Sequence, residues 1–245
     1  MLVSASLTLV LLFVLALAAG VLGGIVGTGS SLILLPLLVL LYGPRVAVPV
    51  MGIAAVMANI GRVIAWWREI QWRPVIAYSL PGIPAAALGA HTLLSIPPTV
   101  VDVCLAVFFV VMIPLRRLAR RRELHLRLRH MVIAGAVVGF LTGLVLSTGP
   151  LSVPIFTGYG LSGGAFLGSE AASSLMLYGG KLTVFGTAGA LSPVIVARGL
   201  IIGAALLIGA LAARRIVSRI AARTYEVLID AVLVVGAAGM ILSLV

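Results

Sequence analysis

Eight stretches of this chain are long and apolar enough, or nearly so, to cross a lipid bilayer. They run at about 5–26, 46–66, 75–94, 99–115, 131–147, 165–186, 193–212 and 225–244. A hydrocarbon layer of roughly 30 Å needs about 20 helical residues at about 1.5 Å each. Inside lipid the backbone must satisfy its own hydrogen bonds, so such stretches fold as helices. Two more apolar stretches, about 28–42 and 149–160, are too short to span unaided. The expected fold is all-α: a polytopic integral membrane protein of ten helical segments, two of them short, broken or re-entrant.

Composition removes the competing classes. Hydrophobic types make up 62% of the 245 residues and charged types only 9%, against about 25% charged in a soluble domain. That excludes a water-soluble globular protein and a disordered chain. The formal charge of +11 would suggest nucleic-acid binding in a soluble protein. Here the arginines sit between apolar blocks, so they set topology and no nucleic acid is expected. Cys104 is the single cysteine, which excludes an internal disulfide and a cysteine-ligated metal.

Arginine placement fixes the expected orientation. Residues 116–130 hold seven Arg and one Glu, residues 214–223 hold four Arg, and residues 62–73 hold Arg62, Arg68 and Arg73 against Glu69. The connections at 95–98 and 187–192 carry no charge. The positive-inside rule puts the three basic loops in the cytoplasm and the two neutral ones outside. Ten segments then leave both termini outside. No Lys or Arg precedes Arg45, so the first segment reads as a retained helix and not a cleaved signal. Trp66, Trp67 and Trp72 read as an interfacial aromatic belt, and Pro81 and Pro84 as a kink.

The chain repeats itself. Residues 27–36 (GTGSSLILLP) and 145–154 (VLSTGPLSVP) each follow a Gly-rich helix, and Pro36 and Pro154 lie 118 residues apart. The expected units are a first transmembrane repeat, 1–115, an Arg-rich linker, 116–130, and a second repeat, 131–245. Five segments per repeat is an odd number, so the repeats lie oppositely in the membrane, the inverted arrangement of many secondary transporters. In such proteins interrupted helices meet near the bilayer midplane. Helix N-termini that meet there offer unpaired N–H groups and a positive dipole end, which suit an anion.

Candidate binding residues follow from that geometry: Gly27, Thr28, Gly29, Ser30 and Ser31 from the first motif, and Ser147, Thr148 and Gly149 from the second. The bland alternative is that small residues merely let helices pack closely. Ionisable residues at membrane depth add candidates. Asn59 and Arg62 lie one turn apart; Arg62 is either an anion ligand or the first residue of the cytoplasmic positive belt. Glu170 and Lys181 are eleven residues apart, close to three turns, and share a helix face. Glu170 is a candidate for coupling, or else interfacial. Lys181 contacts an anion or snorkels to the outer surface. Asp102 and Asp230 read as helix-start charges, and His91 is a weaker proton-relay candidate. His125 and His130 belong to the basic loop.

At these residues the chain resembles the sulfite exporter TauE/SafE family. Gly27-Thr28-Gly29-Ser30-Ser31 followed by Leu32-Ile33-Leu34-Leu35-Pro36 is similar to the family's Gly-x-Gly-Gly-Gly…Pro motif. Gly149-Pro150-Leu151-Ser152-Val153-Pro154 resembles its second-half motif, and Ile70-Gln71-Trp72-Arg73 its loop after the third segment. The resemblance spans nearly the whole chain, duplication included. The Gly triplet is replaced by Gly-Ser-Ser in the first copy and Ser-Thr-Gly in the second, which adds hydroxyls for an oxyanion. The resemblance implies a multi-pass permease of the bacterial inner membrane that exports sulfite or a related organosulfonate.

The sequence carries no HExxH, GxSxG, P-loop or Cys-rich metal motif, so neither an enzyme nor a cofactor is expected. Expected partners are the bilayer, a small sulfur-containing anion and a coupling proton or sodium ion; a homo-oligomer is compatible with this. The competing function is a non-transporting membrane scaffold acting through the Arg-rich loop. An anion channel is the third reading.

Overall fold

The computed structural model describes residues 2–27, 29–97, 125–145 and 149–215, with Val100, Val103, Val107 and Val111. Among these the chain is helical and contains no strand. We number the helices α1 (Leu2–Val26), α2 (Ser30–Tyr42), α3 (Pro44–Trp66), α4 (Trp72–Ser95), α5 (Leu128–Val145), α6 (Gly149–Gly158), α7 (Gly163–Thr187) and α8 (Pro193–Ala213). A 3-10 turn, Trp67–Glu69, follows α3. The ends of the described segments agree with expectation within a few residues. The segment at 225–244, the linker at 116–124, Cys104, Asp102 and Asp230 lie outside the described residues.

Several polar and charged groups are buried among apolar ones, and many large apolar side chains are exposed. Asn59, Arg62, Thr142, Ser152, Glu170 and Lys181 are all buried. Ile76, Leu80 and Leu88 of α4, Ile133 and Val137 of α5, and Leu200 and Ile208 of α8 are exposed. Exposed large apolar side chains together with buried charged groups, among the described residues, are what a lipid solvent selects. By length and hydropathy together, Pro44–Glu69 and Pro193–Ala213 each qualify to cross a membrane alone. Helices α4 and α7 have the length, but Pro, Ser, His and Gly in one and Glu170, Lys181, Ser and Gly in the other dilute their apolar character.

Small residues set the helix packing. A Cβ at Gly135, Gly139 or Gly143 of α5 would run into the carbonyl oxygens of Tyr78, Gly82 and Ala86 on α4. A Cβ at Gly20 of α1 would meet Leu206 of α8, and one at Gly24 would meet Ala210 and Ala213. In lipid no hydrophobic force drives helices together, so backbone approach and dispersion do it. Residue numbers rise together across both contacts, so α4 runs parallel to α5 and α1 parallel to α8. Likewise α3 packs parallel to α8 through Gly199 and Gly203, and α4 parallel to α7 through Gly180. Helices α3 and α7 cross the centre antiparallel, with Trp66 against Gly164 and Gly168.

The two short helices belong to hairpins. The Leu126 N–H donates to the Gly158 carbonyl at 2.8 Å. Helix α6 therefore returns to the end from which α5 sets out. Its 10 residues reach about 15 Å, half a bilayer. Helix α2 has 13 residues and returns from the end of α1 to the start of α3. It is deeply buried, with Leu32, Leu34, Leu35 and Leu38 shielded from solvent. The same end of the molecule carries Arg68, Arg73, Arg127 and Arg214; Arg214 stacks on Trp66 at 5.5 Å. Trp67 and Trp72 are exposed there, as a belt requires. Helix α4 continues through Pro81 and Pro84.

Candidate functional site

The break between α1 and α2 rests on two glycines. Gly27 has φ +80° and Gly29 φ +118°, where an L side chain is strained. Gly27 still closes α1, its N–H donating to the Gly23 carbonyl at 2.8 Å. Gly29 starts α2, its carbonyl accepting from the Ile33 N–H at 3.0 Å. Between the two helices the chain reverses in three residues.

This turn meets the start of α6 and the centres of α3 and α7 around one small cavity. Gly27, Gly29, Ser30 and Ser31 border it from the first motif and Gly149 from the second. Asn59 and Arg62 border it from α3, and Glu170, Ser174 and Tyr178 from α7. The residues from α7 are spaced by four, so they form one stripe. Glu170 lies seven residues into α7 and Tyr178 fifteen, depths of about 10 and 22 Å from the basic end. The cavity thus occupies the middle of the helices, displaced toward that end.

A buried ion pair closes it. Arg62 Nη1 stands 2.6 Å from Glu170 Oε2. Arg62 Nη1 also donates to the Gly27 carbonyl, and Nη2 to Asn59 Oδ1. Asn59 in turn donates from Nδ2 to the Ala55 carbonyl at 2.8 Å. The other carboxylate oxygen, Oε1, accepts from Ser152 Oγ at 2.9 Å and from Ser174 Oγ at 2.8 Å. Glu170 is 2% exposed. A charge so deep is stable only when paired and hydrogen-bonded, and both charges here are. The pair ties the α1–α2 turn, α3, α6 and α7 into one network.

The remaining expected residues separate into groups. Thr28, Ser147 and Thr148 lie outside the described residues. Lys181 is fully buried, so it does not snorkel. It lies one turn beyond Tyr178 and does not border the cavity. Its Nζ donates to the Thr142 carbonyl at 3.0 Å and sits 5.2 Å from the Phe185 ring centroid. Arg62 is not a belt residue and Glu170 is not interfacial, because both are enclosed. His91 is exposed on α4. From sequence, Ser152 stood only within the second motif; the structure gives both it and Ser174 to Glu170. Their only advance signal was spacing, Ser174 one turn after Glu170 and Ser152 inside the second motif. No group of His, Cys, Asp and Glu able to hold a metal occurs among the described residues.

No curated protein and no solved structure shows significant similarity to the chain. The family model described as sulfite exporter TauE/SafE matches residues 12–240. Its members are membrane-embedded transporters, in keeping with the buried charged groups and exposed apolar side chains. With nearly every residue covered by that match, the chain belongs to the sulfite exporter TauE/SafE family.

Proposed function

We propose that this protein is a secondary transporter that exports sulfite or a related organosulfonate across a bacterial inner membrane, with its basic end in the cytoplasm. The reading takes the chain as two inverted halves, 1–115 and 131–245, joined by the 116–130 linker. The packing supports it. Exchange of the halves turns α1 against α8 into α5 against α4, and α3 against α8 into α7 against α4; both contacts of each pair are present and parallel. The antiparallel α3–α7 crossing maps onto itself.

The observation that carries the function is the Arg62–Glu170 pair at the meeting of the two interrupted segments. The cavity beside it holds about 40 Å³, little more than the roughly 30 Å³ share of one water. An oxyanion therefore needs both room and charge that Glu170 now takes up. Protonation of Glu170 removes its claim on Arg62 and lets the carboxyl swing away. The anion then takes the guanidinium, the hydroxyls of Ser30 and Ser31, and the first turn of α2 with its positive dipole end. One proton and one anion share the site and cross together when the halves rock, so outward movement is driven by the outward gradient of the anion itself. Asn59 positions Arg62. Gly149 keeps the facing wall small.

The test is flux of labelled sulfite in proteoliposomes under an imposed proton gradient. The expected result is saturable, gradient-driven movement. Glu170→Gln should retain exchange of anion for anion and lose the response to the proton gradient. If neither sulfite nor any sulfonate moves in the unmodified protein, the substrate assignment falls. The scaffold alternative rests on the Arg-rich linker, most of which lies outside the described residues.

A further inference from the structure

A second, larger cavity lies at the opposite end of the same helix stripe. It holds about 360 Å³ and is bordered by Arg45 and Val48 of α3, Leu93 and Leu94 of α4, Phe185 of α7, and Ala190. That is within the roughly 300–1,000 Å³ of small-molecule sites. Its walls are apolar and Arg45 is its charged group. Arg198 of α8 does not border it; its guanidinium lies 4.3 Å from the Tyr42 ring centroid. The neighbouring connections, 95–98 and 187–192, carry no charge. Basic residues are disfavoured on the outer side, so one at the border of a cavity there needs a reason.

The stripe on α7 joins the two cavities. Glu170, Ser174 and Tyr178 border the inner one; Phe185 borders the outer one. Lys181 lies between them, fully buried, under the Phe185 ring. Phe185 itself is fully buried. Lys181 has a carbonyl and a ring for company, and among the described residues no carboxylate pairs with it. A buried amine in that position gains most from an arriving anion, which supplies the opposite charge that its surroundings lack.

We infer that the outer cavity is a second anion station, that Phe185 is the gate at its floor, and that Lys181 is the ligand uncovered when the ring swings aside. Arg45 draws the anion to the cavity mouth or holds it there before release. The station takes the small oxyanions or sulfonates of the proposed transport, and in that sense it rests on the transport reading. It commits to a path as well: Arg62, then Lys181, then Arg45, along one face of α7.

Accessibility tests this without relying on flux. With Cys104→Ser as background, Lys181→Cys is exposed in outside-out membrane vesicles to two impermeant methanethiosulfonates, one bearing a sulfonate and one a quaternary ammonium. Reaction from the outside should be slow while Phe185 is present and at least roughly tenfold faster with Phe185→Ala, the factor given by about 1.4 kcal/mol of gate closure. The sulfonate reagent should outpace the ammonium one, Arg45→Gln should abolish that preference, and methanesulfonate, which does not react with either reagent, should protect the thiol. If Lys181→Cys does not fold, Ala190→Cys at the cavity rim keeps Lys181 in place and should show the same Arg45-dependent preference. Equal rates with and without Phe185, labelling only from the cytoplasmic side, or a preference untouched by Arg45→Gln would overturn the gate and station. Absence of sulfite flux in the unmodified protein, with the labelling pattern intact, would instead remove the transport reading and leave the station standing.

Discussion

Two buried basic side chains sit at matching places in α3 and α7. Arg62 lies eighteen residues after the start of α3, and Lys181 eighteen residues after the start of α7. Each donates to a main-chain carbonyl near the C-terminal end of a neighbouring helix, Gly27 after α1 for Arg62 and Thr142 of α5 for Lys181. That is the end where a helix dipole favours a cation. The likeness stops at the counter-charge. Arg62 has Glu170 at 2.6 Å and Asn59 beside it, while Lys181 has the Phe185 ring. The same placement on two helices yields a locked position and an unlocked one.

The largest expected effect tests the locked position. Glu170→Ala leaves Arg62 buried with no counter-charge, which should cost about 3–5 kcal/mol of stability. Unfolding in detergent, followed by fluorescence, reads it. Replacing both partners with apolar residues, Arg62→Met with Glu170→Leu, should recover most of the loss, since matched apolar pairs often equal buried ion pairs. Such a variant should fold and carry no anion. A double variant as unstable as Glu170→Ala would show that the network around Ser152 and Ser174, and not the charge pair, holds the centre.

The unlocked position should respond the other way. Lys181→Met removes a buried amine that no carboxylate balances, so stability should stay level or rise. Affinity for sulfite should fall about 10- to 100-fold, the equivalent of the roughly 1.5–3 kcal/mol of a charged hydrogen bond. Isothermal titration in detergent measures it. A sharp loss of stability in Lys181→Met would erase the contrast with Arg62.

The helix pairs offer a third comparison. Gly135 of α5 would drive a Cβ onto the Tyr78 carbonyl, and Gly20 of α1 onto Leu206 less severely. Gly135→Ala should cost about 1–3 kcal/mol as an overpacked contact, and Gly20→Ala less. Thermal midpoints of the two variants decide the ranking. Equal losses would mean that the α1–α8 contact is as tight as the α4–α5 contact.

Much of this architecture could be read from residue order because lipid imposes strict terms. Apolar length located the helices, and arginine placement gave the two ends. The short stretches after Gly27 and Ser147 were visible as too short to span; only the Leu126–Gly158 bond decides that α6 turns back. Arg62 illustrates where sequence stops. With Arg68 and Arg73 following, it reads equally as a belt residue, and its real partner lies 108 positions away. Pairing of that kind depends on how α3 crosses α7, which no local pattern encodes. Lys181 and Glu170 shared a face as their spacing implied, yet only Glu170 borders a cavity, because a helix 25 residues long carries that face well beyond it. The outer cavity, built from Arg45, Phe185 and the ends of three helices, had no motif to announce it.

The smallest effect concerns two adjacent glycines on α7 and checks how that helix is turned. A Cβ on Gly179 meets nothing within 4 Å, while one on Gly180 comes within 3.0 Å of the Ile83 carbonyl oxygen on α4. Alanine is favoured over glycine in a helix interior by up to about 1 kcal/mol. Gly179→Ala should therefore stabilise the protein by a few tenths to about 1 kcal/mol, and Gly180→Ala should gain nothing or lose, because backbone on α4 cannot yield as a side chain would. The pair differs by one position, about 100° of rotation, so intrinsic propensity cancels between them. Unfolding curves in one detergent suffice. Should Gly180→Ala prove the more stable of the two, α7 is rotated from the orientation that places Glu170 toward Arg62 and Lys181 toward Thr142, and the contrast between locked and unlocked positions loses its footing.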